Sequence, residues 1–146
     1  MLRFVWGREG FSSGQLPSQT ERDIEDTRYT DLPNRRRIVR LTVKMDWRLN
    51  SIAHHFLPRG ANGKLVIYYQ GHRGDFALGK DPISAFMEEE YSVIALSTPL
   101  LGPNAQPIVD FHNIAGLKLT SHDHLKFLAV EEGHPIQFFL QPVAAV

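Results

Sequence analysis

From Ile38 onward the apolar positions alternate with polar ones: Val39, Leu41, Val43 and Met45 fall on one side of an extended chain, and Arg40, Thr42 and Lys44 on the other. A period of two predicts a half-buried strand. Asp46 to Asn50 supply a turn, and Ser51 to Leu57 a second strand, so the pair reads as an antiparallel hairpin closed by Pro58, Gly60, Asn62 and Gly63. Leu65 to Tyr69, "LVIYY", is apolar on both faces, as a strand covered on both sides by helices would be. Asp81 at an N-cap and Pro82 at the first helical position open a helix from Pro82 to about Glu90, with Ile83, Phe86 and Met87 on one stripe. Ser92 to Ser97 again lacks alternation, which completes a strand, helix, strand unit with parallel strands.

The flanks carry weaker patterns. Residues 1–34 are punctuated by Gly7, Gly10, Gly14, Pro17 and Pro33 and are expected to form an irregular N-terminal arm, with a short helix near Ser18 to Asp26. Residues 35–146 then form the globular unit. After Ser97 comes a long excursion rich in Pro, Gly and Asn, followed by a helical turn at Leu125 to Val130 and a buried helix in "PIQFFLQPVAAV", where Pro142 is expected to kink the helix or restart it.

Composition bounds the chemistry. A chain of 146 residues, 42% hydrophobic and 22% charged, is of the size and apolar content to bury one core. Sixteen basic and sixteen acidic residues cancel, so no global field favours nucleic acid or anionic lipid. Arg35-Arg36-Arg37 reads as a solvated strand entrance rather than a binding patch. Without cysteine there are no disulfides, no thiol catalysis and no thiolate metal sites. The N-terminus lacks the apolar core of a signal peptide, and no run approaches the ~20 residues that span a bilayer. The expectation is a soluble, cytoplasmic protein with no membrane or nucleic-acid partner.

The chemistry-bearing stretch follows "LVIYY": Gln70, Gly71, His72, Arg73, Gly74 and Asp75. A glycine-containing turn at the carboxyl end of a parallel strand lies where open α/β sheets bind ligands. Neither G-x-G-x-x-G nor G-x-x-x-x-G-K-[ST] fits the spacing of Gly71, Gly74 and Gly79, so a phosphate cradle is disfavoured. Two readings stay open: an oxyanion hole, which needs one or two N–H groups aimed at a developing charge, and a tight turn serving helix–sheet packing. Asp75 is suited to bonding local backbone and stiffening the loop.

The seven histidines add little. His122 and His124 could point the same way and, with Asp123 or His112, suggest a metal site, but no third ligand stands at defined spacing, and polar loop roles are preferred. His54 and His55 face opposite sides of their strand and cannot chelate together; one is expected to pack beneath the arm. His134 reads as a turn residue. Ser121, His122 and Asp123 are triad residue types, yet neighbours in sequence cannot adopt triad geometry. The Glu88 to Glu90 run reads as a solvated face, and Phe86, Tyr91, Phe138 and Phe139 as core. No metal, cofactor or catalytic side chain is assigned.

The order of elements, with "YYQGHRGDF", "YSVIALSTPLLGPN", "LTSHDHLKFL" and "GHPIQFFLQPVAAV", resembles the N-terminal part of bacterial α/β-hydrolases over roughly residues 38–146. The resemblance implies a partial three-layer α/β sheet, an antiparallel hairpin plus parallel strands with flanking helices. It also implies an esterase-like function on a small acyl substrate. In that fold the strand commonly ends in His-Gly; here Gln70 stands for the histidine and Gly71 for the glycine, so His72 would lend its N–H to the oxyanion hole, with Arg73 the next candidate. The substrate rim would be "STPLLGPN". The nucleophile motif G-x-S-x-G should follow the fifth strand of the fold, and the chain is expected to lack it: Ser97 lies in "ALSTP", without flanking glycines. The expectation is therefore the front part of a serine hydrolase, inactive alone. The alternative is a non-catalytic α/β binding module. In the hydrolase strand order the "SVIALS" strand lies between the hairpin and "LVIYY", which leaves "LVIYY" as an open edge and predicts self-association.

Overall fold

The computed structural model describes residues 5–6, 14–45, 49–71, 75–76, 78–105, 109–110, 118–119, 121–127 and 134–146. Its centre is a mixed five-stranded sheet built from β1 (Gln19–Glu21), β2 (Arg35–Lys44), β3 (Asn50–Pro58), β4 (Leu65–Tyr69) and β5 (Ser92–Leu96) in the order β1-β2-β3-β5-β4. The strands β2 and β3 form the expected antiparallel hairpin, with Ile38 opposite Phe56 and Leu41 opposite Ala53. β5 pairs antiparallel with β3 and parallel with β4. A two-stranded ribbon, β6 (Val109–Asp110) and β7 (Lys118–Leu119), lies apart from this sheet.

The alternation along β2 sorts the core into two faces. On one, Ile38, Phe56, Val93 and Ala95 pack with Tyr29, Leu32 and Phe76 and with Ile83 and Met87 of helix α1 (Lys80–Glu88). On the other, Leu41, Ala53, Ile94 and Leu96 pack with Val143 and Val146 at the end of helix α2 (Gln137–Ala145). Val43, Met45, Leu49, Leu100 and Leu125 extend that second cluster around Phe138. Helix α2 continues past Pro142 and buries it.

Several expectations are corrected. No helix forms at Ser18 to Asp26; Gln19 to Glu21 instead add a strand to β2, with the Ser18 N–H donating to Thr42 O at 2.8 Å. That pairing is between residues far apart in sequence, so no local period announces it. A 3₁₀ turn at Thr27–Tyr29 follows, capped by the Asp26 carboxylate accepting from the Arg28 N–H. The arginine run forms the first three residues of β2, none of them buried, as a solvated strand entrance would, and a register shift between Arg35 and Arg37 marks a bulge there. The helix before β5 starts at Lys80 with Gly79, not Asp81, at its cap. A Cβ at Gly79 would lie 2.4 Å from the Tyr68 ring, so with any other residue there the ring would have to move. Phe86 is at the exposed margin of α1, edge-on to Tyr91. The residues of β4 are not sheathed on both sides: Leu65 and Ile67 are exposed, while Val93 to Leu96 of β5 are fully buried. The helical turn expected at Leu125 to Val130 begins earlier, as a 3₁₀ segment over His122–Phe127, and residues 128–130 lie outside the described set.

Candidate functional site

Parallel pairing places Tyr69 beside Leu96, so β4 and β5 leave the sheet side by side at their carboxyl ends. The next residues staple the two exits together. Thr98 Oγ1 donates to Gly71 O at 3.3 Å, and the Phe76 N–H donates to Ser97 Oγ at 3.2 Å. Two consecutive hydroxyls thus hold Gly71 and Phe76, the two ends of the loop, beside the exit of β5.

Asn104 extends the brace to the hairpin. Its Nδ2 donates to Ser97 O at 2.9 Å, and its Oδ1 accepts from the Ile52 N–H of β3 at 2.6 Å. Ser97, Thr98 and Asn104 are all buried, as is Leu100. The segment "STPLLGPN" thus braces the exit of β5 through Ser97, Thr98 and Asn104, while Gly102 is exposed. Buried backbone groups must find partners, and here side-chain oxygens and an amide provide them.

On the flank of the loop, the Asp75 side chain packs against Gly102, where a Cβ would fall 2.5 Å from Asp75 Cγ and where φ is +52°. The Asp75 carbonyl accepts from the Leu78 N–H, which turns the chain into α1. Arg28 of the arm grips Asp26 through two side-chain bonds at 2.9 and 2.7 Å. That contact holds the Asp26 carboxyl below its usual pKa and raises the guanidinium's, with the charge of Asp75 adding a smaller part to the latter. The arm and the loop therefore lie within electrostatic reach of each other.

Beneath the arm lies His54, 1% exposed, ringed by Tyr29, Phe56 and Phe76, the last at 4.7 Å between ring centroids. This is the histidine expected under the arm. Burial lowers its pKa to about 4, with Arg40 and Arg28 pushing the same way and Asp26 opposing. Burial likewise raises the Tyr29 phenol. Neither Tyr29 Oη nor His54 Nδ1 has a hydrogen-bond partner among the described residues. Tyr69, at the exit of β4, is raised by burial too, and its hydroxyl lies beside Thr98 without a bond of ordinary geometry.

Of the loop residues singled out from the sequence, Gly71 is exposed and takes the Thr98 bond, and Asp75 is half-buried against Gly102. Gln70 accepts from the Tyr68 hydroxyl with its side-chain oxygen. His72, Arg73 and Gly74 lie outside the described residues. The structure gives Ser97, Thr98 and Asn104, which the sequence places only within the expected rim "STPLLGPN", a bracing role. Their one local signal is the Ser-Thr pair directly after a buried strand and the Asn of Gly-Pro-Asn, residue types that bond backbone readily.

Ser97 is not poised for attack: it is fully buried, and its oxygen is occupied by the Phe76 N–H. The letters G-x-S-x-G do occur once, at Gly10-Phe11-Ser12-Ser13-Gly14, ahead of the sheet. Gly14 leads within five residues into β1, whereas a nucleophile elbow feeds a helix. His122 sits 3.4 Å from the Asp123 carboxylate and edge-on to Phe139, and His134 Nδ1 accepts from the Ile136 N–H in a turn. Among the described residues no three His, Asp or Glu side chains gather as metal ligands, and His112 lies outside that set. Nor is any helix among them long and apolar enough to cross a membrane.

The arrangement ties both ends of the loop after β4 to the exit of β5, and among the described residues it supplies no nucleophile. No family model matches the sequence, and no curated protein is similar enough to it to count as a match.

Proposed function

We propose that this chain supplies the sheet and the oxyanion-hole loop of a serine-type α/β-hydrolase acting on an ester or related acyl substrate. The observation that carries the reading is the strand order: β5 inserts between β3 and β4, antiparallel to one and parallel to the other, so that the loop after β4 opens at the carboxyl end of a parallel pair. With Ile83 and Met87 on one face and Val143 on the other, the same sheet fits the three-layer arrangement of that fold.

In this reading the N–H of His72, or next to it Arg73, receives the negative charge that develops on the acyl oxygen. Gly71 and Gly74 let the substrate approach the backbone. The bonds from Thr98 to Gly71 and from Phe76 to Ser97 anchor the residues that flank these donors, which supports the reading because such donors lower a barrier when held in place before substrate arrives. The loop binds and polarises; attack requires a nucleophile that these strands do not present.

The test is a titration of the isotope-labelled chain with butylphosphonate, a charged oxyanion mimic, followed by amide chemical shifts. Shifts centred on Gly71 to Asp75, weakened in Thr98→Val, are expected. Shifts elsewhere, or none at millimolar phosphonate, would sink the proposal. The chain should also fail to hydrolyse 4-nitrophenyl acetate above the buffer rate, and clear turnover would refute the missing nucleophile. A second reading, a non-catalytic module that pairs through its sheet, is favoured by one observation: the outer edge of β4.

A further inference from the structure

The sheet has two edges, and they are treated differently. β1 is three residues long, Gln-Thr-Glu, with Glu21 3.6 Å from Arg40 and with Ser18 and Gln15 side chains bonded to carbonyls of β2. Short, polar and charged, it discourages another strand. β4 at the opposite edge has none of these devices: it is five residues, Leu-Val-Ile-Tyr-Tyr, with no charge, no proline and an unbroken register against β5.

The direction of its backbone groups follows from one bond and the register. The Ser92 N–H donates to Lys64 O, and Leu65 stands opposite Ser92. In a parallel ladder Lys64, Val66 and Tyr68 therefore turn their N–H and C=O groups toward β5, and Leu65, Ile67 and Tyr69 turn theirs outward. Among the described residues nothing pairs with those outward groups. The same three side chains share one face of the sheet, where Leu65 is 50% and Ile67 46% exposed.

We infer that the occupant of this edge is β4 of a second copy of the chain, antiparallel, on a two-fold axis through Ile67. The set of outward residues, 65, 67 and 69, is symmetric about its middle member. Antiparallel alignment pairs Ile67 with Ile67 and Leu65 with Tyr69 twice, each pair exchanging two backbone bonds, about six in all. The arrangement is isologous and closes at a dimer, because each copy offers the same edge and the inner side of β4 is already bonded to β5. Apolar side chains meet along the seam, and the flanking Lys64 falls opposite the neutral Gln70 of the other copy, so no like charges are brought together. The result is one continuous sheet through both copies. A five-residue seam is smaller than a stable interface of about 1,000 Å², which places the dissociation constant in the micromolar to millimolar range. The inference rests on sheet geometry and holds whatever the loop after β4 binds.

The chain has no cysteine, so single thiols report the register cleanly. In this alignment the two Ile67 Cα atoms lie about 5.5 Å apart, within disulfide reach. The two Leu65 Cα atoms are offset by four residues, roughly 14 Å, and are out of reach. Sedimentation of the unmodified chain from micromolar to millimolar concentration should show a monomer–dimer equilibrium. Under mild oxidation Ile67→Cys should link into dimers at least tenfold faster than Leu65→Cys, although the two positions are equally exposed. Ile67→Lys should remain monomeric with an unchanged circular dichroism spectrum. An unmodified chain that stays monomeric at millimolar concentration overturns the inference, as does linking of Leu65→Cys at the rate of Ile67→Cys.

Discussion

Lowering the pH should loosen the arm through His54. The imidazole is 1% exposed, lies among Tyr29, Phe56 and Phe76, and is held neutral in the fold with a pKa of about 4 against 6.5 for an ordinary histidine. The unfolded chain therefore takes up a proton on this residue at higher pH than the folded one. Stability is complete above pH 6.5, is lost as pH falls from 6.5 toward the folded value, and levels off below it. From pH 7 to pH 5 the loss comes to about 2 kcal/mol. Asp26, whose carboxyl is held below its ordinary 3.8, loses its contribution only at lower pH and does not enter this window. His55 is also lowered by burial and does enter it, so the comparison must be with a variant. Urea unfolding of the parent and of His54→Phe at pH 7 and pH 5 isolates the residue. The parent should lose about 2 kcal/mol more than the variant over that interval. Equal losses in the two proteins, or an imidazole pKa near 6.5 by NMR, would refute the argument.

The brace of the candidate site makes three further expectations. Asn104→Ala leaves the Ile52 N–H and the Ser97 carbonyl without their partners, and urea unfolding should show a loss of about 1–3 kcal/mol. Gly102→Ala combines a positive φ with a Cβ forced onto the Asp75 side chain, and should cost at least about 1 kcal/mol, read as a lower Tm; no change would mean that Asp75 does not pack there. Ser97→Ala removes the acceptor of the Phe76 N–H, so that amide should exchange with solvent about tenfold faster or more, and an unchanged rate would deny the staple.

Legibility in the sequence followed the range of the interaction. The existence of the hairpin, β4, α1 and β5 could be read from local period, although the apolar run of β4 overstated its burial, since Leu65 and Ile67 are exposed. Boundaries moved where a distant contact set them: α1 begins at Lys80 because Gly79 meets Tyr68, and β2 takes in the arginines because they pair with β3. β1 was invisible, since Gln-Thr-Glu has no apolar period and its strand exists only through β2. At the site, the loop from Gln70 to Asp75 stood out by its residue types. The brace formed by Ser97, Thr98 and Asn104 did not, because a serine or asparagine in a loop looks the same whether it faces water or a buried backbone group.

The amino-acid sequence by itself determined the hairpin and the strand, helix, strand unit that follows it, that an apolar core exists, and that cysteine chemistry plays no part. Its side-chain pattern could not rank "LVIYY" against "SVIAL", two apolar runs of equal length; the expectation that the first is the edge came from the resemblance alone. Tertiary structure decided that the second is interior, bonded on both sides, and that the first is an edge with half of its backbone groups turned outward. The reason is physical: side-chain periodicity records burial of faces, whereas the neighbours of a strand are chosen by backbone bonds that every residue type can make.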